Sequence, residues 1–197
     1  PKLRSVGMLV KTNQLDLFSP SEMPTTTVSK TPVLLMDVKA LKRWKKQISA
    51  HQQQVRTKEP VLQGALFEVS EAHVDPDIID PFELKPCSLS FYRIPADSPG
   101  QACIYFVIDM AANLLLYVGE TCKSNHRWKG IHDCKRYIEK YQDLHYQYGL
   151  KTAVNIAFWW DAPDSPRPRQ KLELELIQKW RSPFNKENWK LWGQPFG

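Results

Sequence analysis

Two apolar runs, CIYFVID at residues 103–109 and LLLYVGE at residues 114–120, decide the fold expected for this chain. Both runs are rich in β-branched and aromatic side chains, which is typical of buried strands. Only residues 110–113 separate them, so the spacing predicts an antiparallel hairpin. A third run of the same composition, AVNIAFWW at residues 153–160, predicts another strand.

Helical patterns follow the hairpin and the third strand. The stretch CKRYIEKYQDLHYQYG at 134–149 repeats large apolar side chains every three or four positions and ends at Gly149, a common residue type just past a helix. PDSPRPRQ at 163–170 predicts a turn with two arginines, and KLELELIQKW at 171–180 predicts a second helix. From about residue 100, the expected order is strand, strand, helix, strand, helix.

The chain upstream of the hairpin divides into two less regular parts. Residues 1–34 contain clusters of Ser, Thr and Pro and predict a flexible arm. Residues 35–97 form an N-terminal extension, in which the acidic, proline-rich stretch 73–86 predicts an irregular connector. The domain that carries the strands is expected to cover residues 98–192.

The extension holds the chain's excess of positive charge. The formal net charge is +6, and residues 37–58 contain seven Lys or Arg against one Asp, which equals the whole excess. Apolar residues recur there with helical spacing after Asp37, a residue type that caps helices, so we expect an amphipathic helix with a basic outer face. Such a face neutralises nucleic-acid phosphates, with Lys42, Arg43 and Lys46 as the predicted contacts. The alternative is a solvated helix face without a ligand.

The sequence shows no sign of membrane insertion or secretion. Its apolar runs are far shorter than the roughly 20 residues that span a bilayer, and no charged segment precedes a long apolar stretch. We therefore expect a cytoplasmic protein. The four cysteines include no CxxC pair, so free thiols are expected in a reducing compartment. A zinc site is the alternative, since four residues of zinc-ligand type lie close together: Cys122, His126, His132 and Cys134.

The first two predicted strands contain the tripeptides Cys103-Ile104-Tyr105 and Tyr117-Val118-Gly119. These tripeptides resemble the two signature tripeptides of the GIY-YIG nuclease family. Arg127, ten residues after Tyr117, matches the arginine that the family keeps on its first helix. His132 lies near the position where many members have a histidine.

The later part of that signature lies on the last helix and beyond it. The run ELELI at 173–177 and the tripeptide Pro183-Phe184-Asn185 match the family pattern. Glu173 stands twelve residues before Asn185, as in the excision-repair incision nucleases, which favours Glu173 over Glu175 as the metal ligand. The resemblance covers about residues 100–188. It implies an α+β fold with a small, mostly antiparallel, three-stranded sheet flanked by helices.

The resemblance implies phosphodiester hydrolysis with Mg²⁺, or Mn²⁺, as the cofactor. Glu173 suits a divalent cation that keeps several waters, and such a cation stabilises charge on the scissile phosphate. Arg127 offers a bidentate fork to phosphate, which a lysine does not. His132 is expected to act as a second proton acceptor or to bind phosphate.

One of two tyrosines, Tyr105 or Tyr117, is expected to be the general base, and Asn185 is expected to hold the site by hydrogen bonding. Because a free tyrosine has a pKa near 10, the base needs nearby cations to act at neutral pH. Taken singly, each of these residues has an ordinary explanation, since tyrosines pack within sheets and charged residues face solvent. Their occurrence in order, on the expected elements, favours the functional interpretation.

The chain departs from the family pattern at three positions. Glu120 stands where many members carry Lys after the signature glycine, and Cys103 replaces the first glycine. His132 follows Arg127 by five residues, where four is commoner. The first departure reverses a charge beside the expected base.

Four further cations complete the expected DNA surface. Lys123 and Lys129 lie after the second signature strand, where either one can replace the missing lysine. The alternative is that Glu120 faces away from the site. Arg167 and Arg169 lie in the predicted turn before the last helix. We expect these side chains to contact DNA phosphates together with the basic helix.

The N-terminal arm contains the pentapeptide Gln14-Leu15-Asp16-Leu17-Phe18. It resembles the peptide by which bacterial proteins bind the replication sliding clamp. Leu17 and Phe18 would fill an apolar pocket, with Gln14 hydrogen-bonded at its edge. The alternative is a stray apolar cluster that packs on the domain. Residues 63–67, QGALF, form a looser second copy.

These patterns together predict a nucleoid-associated DNA endonuclease that is tethered to the sliding clamp during replication or repair. One alternative is a non-catalytic DNA-binding module of the same fold, which uses the basic helix with Arg167, Arg169 and Lys171. Another alternative is a sequence-specific, restriction-type endonuclease.

Overall fold

A computed structural model describes residues 36–57, 74–89, 101–122 and 133–196, which belong to one compact unit. None of the described helices has the length and apolar character needed to cross a membrane. The clamp-like pentapeptide and the predicted arm lie outside the described residues. The described residues form these elements: α1 (Val38–Thr57), a 3₁₀ turn (Pro76–Ile78), β1 (Pro86–Ser88), β2 (Cys103–Asp109), β3 (Leu114–Thr121), α2 (Asp133–Gln147), β4 (Val154–Trp159), α3 (Pro166–Trp180), a second 3₁₀ turn (Lys186–Asn188) and α4 (Trp189–Trp192).

The described strands form one antiparallel sheet in the order β1-β4-β2-β3. The α+β class is confirmed, but the predicted count of three strands is wrong, because β1 adds a fourth strand beside β4. This strand begins at Pro86, the last residue of the predicted connector, and three residues are too few to show a strand period. Pro86 is tolerated there because it is the first residue of an edge strand.

The predicted hairpin is confirmed. β2 and β3 pair in antiparallel fashion, with Tyr105 opposite Gly119. Asp109 begins the turn, since its Oδ1 accepts a hydrogen bond from the Ala111 N–H at 3.1 Å. Asn113 closes the turn with a φ of 47°, a conformation that Asn adopts more readily than most residues. The hairpin fixes the register of the two strands that carry the candidate tyrosines.

Alternate residues of the fully buried strand β2 point into two core layers. Tyr105 and Val107 pack with apolar side chains of α1 and α2: Leu41, Trp44, Ile48, Tyr137, Tyr141 and Leu144. Ile104 and Phe106 pack with those of α3: Leu172, Leu176, Ile177 and Trp180. Helices therefore cover both faces of the sheet.

The helix ends follow local capping chemistry. α1 begins after Asp37 as predicted, and the Asp37 Oδ1 accepts a hydrogen bond from the Ala40 N–H at 2.6 Å. α3 begins at Pro166, five residues before the predicted start at Lys171. Proline suits the first helical position, where its missing N–H has no partner to lose. The prolines that suggest a turn in the sequence thus mark the first turn of α3.

The side chain of Gln52 in α1 closes part of the outer edge of β3. Its Oε1 accepts a hydrogen bond from the Leu115 N–H, and its Nε2 donates to the Leu115 carbonyl, each at 2.9 Å. Gln52 is buried, so these bonds satisfy groups that water does not reach. The side-chain amide takes the place of a neighbouring strand.

A buried polar cluster joins α1, β2 and α2. The Oδ2 of Asp109 accepts hydrogen bonds from the Tyr141 hydroxyl at 2.6 Å and from the Lys45 Nζ at 3.4 Å. Its Oδ1 accepts from the Ala153 N–H at 2.9 Å. The Lys45 Nζ also lies 2.7 Å from the His145 Nε2, and the His145 Nδ1 lies 2.7 Å from the Tyr141 carbonyl. Because a carbonyl only accepts, Nδ1 carries the proton and Nε2 accepts from Lys45.

The charge states of the cluster follow from these contacts. Burial lowers the pKa of Lys45 and the pKa of His145. Burial alone would raise the pKa of Asp109, but the hydrogen bonds from Tyr141 and Ala153 and the charge of Lys45 hold that pKa below its usual value. The cluster at neutral pH therefore contains a carboxylate and a neutral imidazole.

Candidate active site

The two candidate tyrosines are neighbours in different environments. The ring centroids of Tyr105 and Tyr117 lie 6.0 Å apart. Tyr105 is fully buried, and its ring lies so close to Gly119 that a Cβ there would overlap its Cζ and its hydroxyl. Tyr117 is half-buried and lines a cavity. Gly119 is therefore required for the placement of Tyr105, whereas Tyr117 is the tyrosine that faces the cavity.

The cavity has a volume of about 400 Å³. Three of the predicted catalytic residues line it: Tyr117 of β3, Glu173 of α3 and Asn185 after α3. The structure thus brings together side chains that are up to 68 residues apart in the chain. The other described residues that line the cavity are Asp133, Cys134, Ile177, Phe184, Lys186 and Glu187.

Asn185 holds the strand that carries Tyr117. Its Oδ1 accepts a hydrogen bond from the Val118 N–H, and its Nδ2 donates to the Val118 carbonyl, each at 2.9 Å. The Ser182 hydroxyl donates to the same Oδ1 at 2.6 Å, and Asn185 is buried. These bonds occupy the amide, so Asn185 positions β3 and its oxygen is not the natural choice for a metal ligand.

Glu173 contacts the same strand edge two residues further along. Its Oε1 accepts a hydrogen bond from the Glu120 N–H at 3.1 Å. Val118 and Glu120 present their backbone groups on the outer edge of β3, where Asn185 and Glu173 meet them. The two predicted catalytic side chains are therefore held by one strand.

Glu173 is one of three described carboxylate residues that line the cavity, together with Asp133 and Glu187. Among the described residues, no group of three or more His, Cys, Asp or Glu side chains is arranged to hold a metal. A carboxylate at a cavity fits Mg²⁺, which usually binds through one or two carboxylates and keeps several waters.

Charged residues that the sequence pattern does not predict lie at the same cavity. The Lys186 Nζ lies 3.0 Å from an Asp133 carboxylate oxygen, and both side chains are at least half exposed. This contact raises the pKa of Lys186, so a cation stands at the cavity. Asp133 is the first residue of α2, and Lys186 directly follows Asn185. Their places beside a predicted helix and a predicted site residue are the only signals in the sequence for their position at the cavity.

Several predicted site residues lie outside the part of the chain that the structure describes. These residues are Arg127, His132, Lys123 and Lys129, together with the zinc-ligand candidate His126. Their roles stay predictions. Of the two described zinc-ligand candidates, Cys122 is exposed, whereas Cys134 is buried and burial raises the pKa of its thiol.

The structure contradicts the prediction that Arg169 contacts DNA. Arg169 is 2 % exposed, and its Nε donates a hydrogen bond to the Glu120 Oε2 at 2.6 Å. Its Nη1 donates to the carbonyls of Pro163 and Asp164 at 2.8 and 2.7 Å. The guanidinium is thus committed within the fold, because the start of α3 turns it inward. Arg167, two residues earlier, is exposed and stays a candidate DNA contact.

The predicted basic face of α1 is solvent-exposed. Lys42, Arg43 and Lys46 are all exposed on this helix, as is Lys39 one turn earlier. None of the ion pairs between described residues includes these four cations. Lys45 differs, since it points inward to Asp109. The spacing of the exposed cations gives a stripe of positive charge along one helix face.

No protein-family model, no curated protein and no solved structure matches this chain.

Proposed function

We propose that this protein is a metal-dependent DNA endonuclease that hydrolyses phosphodiester bonds. The observation that carries the proposal is that Tyr117, Glu173 and Asn185 line one cavity. A phenol, a carboxylate and a positioning amide are the groups that the sequence resemblance assigns to such a site. The cavity joins them from separate parts of the chain.

Within this proposal, Tyr117 takes the proton of the attacking water, because it is the tyrosine that lines the cavity. Tyr105 is buried and sets the position of the neighbouring strand through its contact with Gly119. Lys186 supplies positive charge at the same cavity. Such a charge favours the phenolate form of a tyrosine.

Glu173 would hold a Mg²⁺ or Mn²⁺ ion, which when bound supplies positive charge for the phosphate and the leaving oxygen. The hydrogen bond from the Glu120 N–H fixes the carboxylate at its Oε1. The exposed cations of α1 bind the DNA backbone, which orients the duplex without reading its sequence. The pentapeptide at residues 14–18 tethers the enzyme to the sliding clamp, which connects the activity to replication or repair at the nucleoid.

A nicking assay with a matched pair of variants tests the proposal. The substrates are flap, junction, mismatched and plain duplex DNA in Mg²⁺ or Mn²⁺. Glu173→Gln keeps an oxygen for the Glu120 N–H but loses the charge, so we expect the rate to fall at least about 100-fold. Glu175→Gln alters a carboxylate of the same helix that pairs with Lys171 at 3.8 Å and is absent from the cavity lining. It should keep the rate, and equal losses in the two variants would contradict the assignment.

The tyrosine roles are separated by single-atom changes. Tyr117→Phe should abolish nicking and leave DNA binding unchanged, because it removes the proton acceptor alone. Tyr105→Phe should keep most of the rate, because the ring that packs on Gly119 remains. The reverse pattern would move the base to Tyr105.

A non-catalytic DNA-binding module is the second candidate. It is favoured by the hydrogen bonds that already engage Glu173 and Asn185 at the edge of β3, since such bonds give both residues a structural role. Binding without cleavage of every substrate, in both metals, would support this candidate over the nuclease.

A further inference from the structure

Two residues of α3, one helical turn apart, contact the same residue of β3. Arg169 donates from its Nε to the Glu120 side chain at 2.6 Å, and Glu173 accepts from the Glu120 N–H at 3.1 Å. Residues four apart on a helix lie on the same face, so both side chains reach β3 together. Glu120 is therefore fixed at its carboxylate and engaged at its peptide group.

The Arg169 side of this arrangement is rigid. The guanidinium is buried and also donates to two carbonyls of the loop before α3, at 2.8 and 2.7 Å. A planar fork with three fixed acceptors has little freedom to move. The Glu120 side chain is 15 % exposed, so its charge is compensated by Arg169 in a largely dry environment.

We propose that Arg169 is a positioning residue that orients the Glu173 carboxylate by holding Glu120 in place. The inference rests on the proposed function, in which Glu173 holds the metal. It also gives the acidic residue at position 120 a purpose, because Glu120 is the link between the buried guanidinium and the carboxylate at the cavity. A neutral side chain at 120 could not bind Arg169 as strongly.

Hydrogen exchange of individual backbone amides tests the link without any reaction. In Arg169→Met, the Glu120 amide should exchange about 10-fold faster or more, because Glu120 is no longer held against the Glu173 carboxylate. The amides of Leu115 and Val118 lie on the same strand edge and are held by Gln52 and Asn185. They are internal controls and should keep their exchange rates. An unchanged Glu120 amide, or equal acceleration at all three amides, overturns the proposal.

The catalytic consequence is measured by nicking kinetics. Arg169→Met, Glu120→Met and the double variant each remove the hydrogen bond between positions 169 and 120, so each should lower kcat about 10-fold while the KM for DNA stays within about 3-fold. If the two residues acted only through their charges, the two single variants would change kcat in opposite directions and the double variant would have the wild-type kcat. That result would refute the proposal that Arg169 orients Glu173. If Arg169→Met does not fold, the neutral double variant provides the exchange measurement. A wild-type protein that does not nick DNA removes the proposed function, and the exchange rates then decide the link alone.

Discussion

Gly119→Ala should destabilise the fold through a single contact. An alanine Cβ at this position would overlap the Cζ and the hydroxyl of Tyr105 and lie 2.8 Å from its Cε1. Ordinary van der Waals contact begins at 3.4 Å, so the ring has to move outward. Tyr105 is fully buried on the central strand, and that movement disturbs the surrounding core. Overpacking of this kind costs about 1–3 kcal/mol, and we expect a loss near the upper end.

Two substitutions of Tyr105 separate this contact from other effects of a new methyl group. Tyr105→Phe retains Cζ and Cε1, so Gly119→Ala should cost nearly as much in that background. Tyr105→Leu removes all the overlapping atoms, so Gly119→Ala should cost nothing in that background. The difference between the two costs of Gly119→Ala is the coupling energy, which should be about 1–3 kcal/mol.

Urea unfolding followed by tryptophan fluorescence measures these free energies. Gly119→Ala should lower the midpoint and keep the slope, as expected for a change in stability alone. If Gly119→Ala costs as much unfolding free energy in the Tyr105→Leu background as in the wild type, to within about 0.5 kcal/mol, the reasoning is refuted.

Three further predictions concern other parts of the protein. Asp109→Asn removes the carboxylate that binds Tyr141 and Lys45 and should cost about 2–4 kcal/mol in urea unfolding at pH 7. Because the pKa of Asp109 is held below its usual value, the stability that the carboxylate contributes is present above pH 4 and is lost as the pH falls through the lowered pKa. A difference in unfolding free energy between wild type and variant that persists in acid would contradict this role of the carboxylate. Replacing Lys42, Arg43 and Lys46 by Gln should reduce the slope of log K for DNA binding against log salt concentration by about 0.9 per lost phosphate contact. Lys151→Gln, which changes an exposed lysine elsewhere, should leave the slope unchanged. An unchanged slope in the triple variant would show that the α1 cations do not contact DNA. Leu17→Ala with Phe18→Ala should abolish capture by purified sliding clamp in a pull-down and spare cleavage of free oligonucleotides, whereas retained capture would direct attention to residues 63–67.

The sequence predicts the hairpin and α1 well because their signals are local. β2 and β3 are runs of strand-forming residues joined by a short turn, and Asp109 starts that turn within the hairpin itself. α1 has a regular apolar period and a capping Asp37. Such features need no knowledge of distant residues.

Features that depend on distant residues are harder to predict. β1 has only three residues, and it is a strand because it pairs with the edge of β4. The burial of Arg169 follows from the early start of α3, which places it on the same helix face as Glu173. Glu173 is expected to face the site, and Arg169 stands four residues before it on the same helix. This spacing therefore predicts that Arg169 also points inward. The contribution of Asp133 and Lys186 to the cavity is visible only after the helices are packed.

The outer edge of β3 has a consequence for the behaviour of inactive variants. Gln52, Asn185 and Glu173 cover its backbone groups with side chains. An uncovered strand edge is a template for pairing with another chain and promotes aggregation. A substitution that removes Asn185 or Glu173 would therefore have two effects: it would inactivate the proposed active site, and it would open the sheet to self-association. Loss of activity in such variants has to be measured on protein that is shown to be monodisperse, and Glu173→Gln, which keeps the edge covered, is the safer choice.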